Sequence, residues 1–304
     1  MDALWMLWTD PNMRWIVIGC MLLGLSSGLI GCYMLLQKRS LIGDALAHAA
    51  LPGICIAFML TGVKSTTGFV LGALVAGAIA TWGIRWITNY SRIKQDAAMG
   101  IVLSLFFGIG VMLLTRIQHS GAGGQSGLDK FLFGQAASMM RADVYMLAGI
   151  SILLLVLCVL LYKPFKLISF DPGFARGLGW QVARLEQLML LLAVLVVVAG
   201  IQAVGVVLMS ALLITPAVAA RYWTNKLYVM LLLAGMFGAV SGLSGTFWSG
   251  MLTGLPTGPV TVLSATLLFA LSALFAPQRG WIGKRWRQRR ARRAWTQGGA
   301  THEQ

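Results

Sequence analysis

Two stretches of this chain run longer without a formal charge than a soluble fold allows: Gln187–Ala220 over 34 residues and Leu227–Ala276 over 50. The hydrocarbon core of a bilayer is about 30 Å thick and takes about 20 apolar helical residues to cross. Even the shorter run would make about 50 Å of helix, too long for one passage. It must turn back, and Gly200 and Gly205 offer the place, with Pro216 kinking the returning segment. The longer run divides near Gly242–Gly258, where glycines, Trp248 and Pro256 read as an interfacial loop. Trp15–Leu36, Ser65–Ile84, Ala97–Thr115 and Val144–Tyr162 are charge-free runs of one span each, and Ala45–Val63 is interrupted only by His48. These runs predict an all-α, polytopic membrane protein of about nine transmembrane helices, or eight if Ala203–Ala220 only re-enters.

The composition excludes the main alternatives. Only 11% of residues are charged and 58% are apolar, where a soluble domain carries about a quarter charged. That rules out a disordered chain and an ordinary cytosolic enzyme, and 36 glycines suit helices that pack through small residues. The first apolar run has no preceding basic region and no small-residue cleavage site, so it reads as a retained span. The chain then divides into a membrane domain, 1–278, and a basic tail, 279–304.

Charge fixes the direction. With nine spans and the tail inside, the inner segments hold 19 Lys and Arg, eleven in loops and eight in the tail, against five outside. This obeys the positive-inside rule, with or without the tail, and places the C-terminus in the cytoplasm. The tail, Arg279–Arg293, interleaves its basic residues with Trp281 and Trp286. Such a stretch could serve nucleic acid, but directly after a span it reads as an anchor on anionic membrane lipid. Cys20, Cys32, Cys55 and Cys158 fall singly in apolar segments, without the paired spacing of a structural zinc site or a disulfide framework.

Polar groups that persist inside a bilayer are candidates for function. Asp44 and His48 stand out, within Ser40–Gly53. If 44–51 is helical, they share one face four residues apart, and carboxylate oxygen and imidazole nitrogen can converge on one divalent ion. The small residues around them, Ala45, Ala47, Ala49 and Ala50, would admit a neighbouring helix. Two donors hold a metal weakly, which suits transport, and a second copy across a two-fold axis would supply four. The competing view is that Asp44 only caps its helix and His48 packs on a carbonyl. Pro52 and Gly53 close this segment as a candidate helix break, as do Thr215 and Pro216 in the stretch Val204–Arg221.

Another informative loop is Ile168–Trp180. Asp171 before Pro172 reads as an N-cap and first turn, and Gly177 or Gly179 as the end of a short helix. Phe174 and Leu178 then lie one turn apart, with Ala175 and Arg176 between them. This element is either an interfacial connector or a docking point for a cytoplasmic partner. No Gly-x-x-x-x-Gly-Lys-Ser/Thr loop occurs, so the chain has no usual cradle for ATP phosphates.

Ser40–Gly53, Asp171–Gly179 and Gly205–Arg221, in this order and spacing, resemble the permease subunit of manganese-, zinc- or iron-type bacterial ABC transporters. Asp96–Ile101 is similar to a further segment that opens a helix in that family. The resemblance implies the fold of type II ABC importer permeases and a pore shared by two permease subunits, identical or related. It implies that Asp44 and His48 face the path as metal ligands, and that Asp171–Gly179 is a coupling helix resting on a cytoplasmic ABC ATPase dimer. An extracytoplasmic metal-binding protein would deliver Mn, Zn or Fe as cargo in the plasma membrane, with no bound cofactor and no enzyme activity in this subunit. Two departures stand out: Ala47 where Ser is frequent, and Thr253–Gly258, which lacks the acid many members carry there. The competing classes are a siderophore- or cobalamin-type permease, a gradient-driven secondary transporter, and a membrane metalloenzyme. The last lacks a clear third ligand and a general base.

Overall fold

The computed structural model describes residues 11–62, 66–119, 139, 141–251, 255–281 and 283. They form eleven helices and, among the described residues, no strand. In chain order these are α1 (Pro11–Leu36), α2 (Ile42–Thr61), α3 (Thr66–Tyr90), α4 (Gln95–His119), α5 (Arg141–Leu160) and α6 (Tyr162–Phe170). They continue as α7 (Pro172–Gly177), α8 (Val182–Val204), α9 (Val206–Trp223), α10 (Leu227–Met251) and α11 (Thr257–Phe275). Eight of them, all but α6, α7 and α9, are long and apolar enough to cross a membrane.

Helix α1 is the axis of the bundle, and its small residues explain why. A Cβ at Gly24 would land on the Gly238 carbonyl of α10, and one at Gly28 on the Ala234 carbonyl. Apolar helices gain little from burying one another in lipid, so close backbone approach through small residues takes over as the packing force. These contacts run in opposite chain directions, so α1 and α10 are antiparallel; Gly245 meets Thr261 close to where α10 ends at Met251 and α11 begins at Thr257, so α10 and α11 are antiparallel as well. The end of α11 therefore lies at the same end of the bundle as the end of α1, opposite the start of α1.

The long run Gln187–Ala220 breaks at Gly205, as its length requires. Gly205 has φ +93° and ψ 162°, a backbone region that only glycine enters without strain. The chain then folds back, bringing Met209 against Gly200. Helix α9 has 18 residues, about 27 Å of rise, and runs beside α11: Leu208 meets Gly258 at one end, and the Tyr222 and Phe269 rings lie 5.9 Å apart nearer the other. It thus links the same two ends of the bundle as the eight longer helices.

Two expectations change. The interfacial loop placed at Gly242–Gly258 is largely helical: α10 continues to Met251 and α11 begins at Thr257. Gly242 and Gly245 are contact residues, against the Cys20 carbonyl and Thr261, and no turn falls there. Pro52 and Pro216 do not end their helices: α2 and α9 run through them, as membrane helices allow when neighbours cover the freed carbonyl. Gly53 instead meets the Gly72 carbonyl of α3. The four cysteines are free and buried. Lys284 onward in the basic tail lies outside the described residues.

Candidate functional site

Helix α2 starts from a tight turn in which Lys38 takes φ +59° and the Ile42 amide donates to the Arg39 carbonyl at 3.2 Å. Its N-cap is Leu41, without a side-chain cap, so the capping alternative for Asp44 does not hold. Asp44 sits inside the first turn, where unpaired amides favour a carboxylate. One turn on, His48 Nε2 lies 3.4 Å from Asp44 Oδ1. The imidazole stands edge-on to Phe107 of α4, with ring centroids 4.9 Å apart at 78°.

The pair faces out of the protomer: 41% of the Asp44 side chain and 19% of the His48 side chain are accessible. Ala45, Leu46, Ala47, Ala49 and Ala50 are buried on the other faces of α2. The small residues thus serve packing within this chain. A partly bare carboxylate on a spanning helix is costly against lipid, so this stripe calls for an aqueous path or a covering protein. Two donors bound to one ion at about 2.1 Å are themselves about 3.0–3.4 Å apart, and the Asp44–His48 separation already falls there. Among the described residues no group of three or more His, Cys, Asp or Glu could hold a metal ion. The pair alone offers two donors, half of what a four-coordinate ion would need.

At the second candidate stretch, the Asp171 carboxylate accepts from the Phe174 amide at 2.8 Å and Pro172 opens α7. The Trp180 amide donates to the Ala175 carbonyl at 3.1 Å, and Gly179 ends the element at φ +82°. Ala175 is buried, while Phe174, Leu178 and Trp180 are exposed. Arg176 and Gly177 are also exposed, so this short helix offers an apolar, basic surface at the end of the bundle.

Sequence reasoning missed two contributors. Phe107, which seats the imidazole, carries no local signal because its role comes from the packing of α4 on α2. Arg39 was only one of many basic residues, yet its Nη2 lies 3.2 Å from Glu186 Oε2 in the first turns of α8. This ion pair ties the turn before α2 to the segment after α7. His119 ends α4, its Nδ1 2.8 Å from the Thr115 carbonyl. Thr215 and Pro216 lie in α9, where Pro216 is buried.

Apolar helices joined through glycine contacts, with an outward-facing carboxylate–imidazole pair on one of them, define a polytopic membrane permease. The chain belongs to the ABC 3 transport family, whose model matches residues 9–276. It is 53% identical over 292 residues to the manganese transport system membrane protein MntC of Bacillus subtilis, covering 96% of this chain and 67% of that one. It is 44% identical over 290 residues to the zinc transport system membrane protein TroC of Treponema pallidum, covering 95% and 97%. Among solved structures, PsaBC from Streptococcus pneumoniae in complex with Fab superposes with a TM-score of 0.82 at 31% identity, over 93% of this chain and 99% of that one.

Proposed function

We propose that this chain is the membrane-spanning subunit of an ATP-driven importer of a divalent transition-metal ion, manganese or zinc, acting as one of a pair of permeases. The observation that carries this reading is the Asp44–His48 pair, at chelating distance on a spanning helix and turned outward. Two such pairs facing each other give a four-donor site of mixed carboxylate and imidazole, which manganese, zinc and ferrous iron all accept. The names of the relatives favour manganese or zinc. A siderophore-type path has no use for bare chelating side chains.

The end of the bundle bearing α7 faces the cytoplasm, and α7 is the coupling helix on which an ABC ATPase pair acts. ATP hydrolysis belongs to that partner. An extracytoplasmic metal-binding protein loads the opposite end. Residues 1–278 form the pathway domain, and the basic tail holds the inner leaflet. Radiometal uptake tests this in metal-starved cells lacking their own importers, which express the chain with its ATPase and binding protein. Uptake should be ATP-dependent, competed by Mn²⁺ or Zn²⁺, and lost in His48→Ala at normal membrane levels. Undiminished uptake in His48→Ala would leave that residue a packing role only.

A further inference from the structure

At the end of the bundle that carries α7, a cavity of about 240 Å³ opens between α3, α7 and α8. Its wall brings together three guanidinium groups, Arg39, Arg85 and Arg176, against one carboxylate, Glu186. Arg39 is only 9% exposed. Its Nη2 is engaged by Glu186 at 3.2 Å, but its Nη1 is buried without a hydrogen-bond partner. A buried charged donor in that state bears its full desolvation cost. Arg85 is held at the wall by donating from Nη1 to the Ala183 carbonyl at 2.6 Å and to Gln187 Oε1 at 3.3 Å. The cavity is therefore built and carries a formal excess of two positive charges. That charge repels a metal cation, so this is not the exit of the metal path.

The depth of the cavity is marked by α3 itself. Trp82, Trp86 and Tyr90 are exposed on α3, recur every fourth residue, and the last two rings lie 6.0 Å apart. Exposed amphipathic rings of this kind sit at the level of lipid headgroups. Arg85 and Asn89, from the same turns of α3, line the cavity. We propose that this cavity binds the phosphate of an anionic phospholipid, with the three guanidiniums taking its oxygens in the forked geometry arginine offers phosphate. Because Arg176 belongs to α7 and Arg39 leads into α2, an occupied site clamps the turn before α2 to α7. The binding stands by itself; only its consequence for transport rests on α7 being the coupling element.

The test is native mass spectrometry of the full-length chain in neutral detergent, titrated with phosphatidylglycerol and, in parallel, phosphatidylcholine. The wild type should retain one phosphatidylglycerol about tenfold or more tightly than an Arg85→Gln/Arg176→Gln variant, and show no such preference for phosphatidylcholine. That variant leaves the Arg39–Glu186 pair intact, so a folding defect at Arg39 does not cloud the result. A second variant, Arg287→Gln/Arg289→Gln/Arg290→Gln in the tail, should keep the tight lipid. Equal retention by wild type and the cavity variant overturns the proposal. Thermal stabilisation by inorganic phosphate in the wild type alone, with phosphatidylglycerol indifferent, upholds the phosphate chemistry and assigns it to a soluble source. Loss of ATPase co-purification without any change in either phosphate probe would mean that the cavity takes an acidic group of the partner, which also overturns it. Absent metal uptake by the wild type would count against the importer reading and leave the lipid result untouched.

Discussion

At Asp44 the charge matters more than the shape. Asn at this position keeps one oxygen donor and nearly the same volume, but gives up the negative charge that the proposed site would offer a divalent ion. Asp44→Asn should therefore weaken apparent metal affinity by at least the 10–100-fold that loss of a supporting group costs a metal site, read as a rightward shift of the uptake curve. Membrane level and ATPase co-purification should stay unchanged, because the side chain is 41% accessible and carries little of the packing. A curve that overlays the wild type would take Asp44 off the path. The spacing of this pair was legible because a helix places i and i+4 on one face whatever surrounds it. Phe107 and the Arg39–Glu186 pair were not legible: their partners lie 59 and 147 positions away, and no local pattern encodes such tertiary contacts.

Between elements, α1 and α10 meet where Gly24 and Gly238 face each other's carbonyls. Adding one methyl at Gly238 pushes two backbones apart, where no side chain can give way. Gly238→Ala should cost at least the 1–3 kcal/mol of ordinary overpacking, seen as a lower melting temperature in detergent. Gly149→Ala in α5 is the matched control. Its Cβ would meet open space, so it should be neutral or gain up to about 1 kcal/mol from helix propensity. Equal melting of the two variants would mean that the glycine contact does not hold α1 to α10. From sequence alone Gly242 reads as part of a loop for a related reason: glycine in an apolar run signals a turn and a close helix contact alike. At Gly205 the length of the run decided between the two, since 34 uncharged residues cannot cross a bilayer once. At Gly242 no such length argument was available, and the tertiary contact with Cys20 decided instead.

For the whole molecule, the antiparallel chain of contacts from α1 to α10 to α11 puts the start of α1 and the end of α11 at opposite ends of the bundle. The charges sort along the same axis. Of the described basic residues, twelve lie at the α7 end, and only Arg14, Arg116 and Arg141 lie at the other. That arrangement fits an odd number of passages with α9 among them, and the positive-inside rule then supports the proposed orientation, with the α7 end in the cytoplasm. Labelling with a membrane-impermeant maleimide checks this directly, because all four native cysteines are buried and contribute little background. Arg14→Cys should react in intact cells, and Arg279→Cys only after permeabilisation. Reaction of both on the same side would require an even number of passages. It would make α9 a re-entrant segment, move the start of α1 to the side of the tail, and leave the charge sorting without a topological cause.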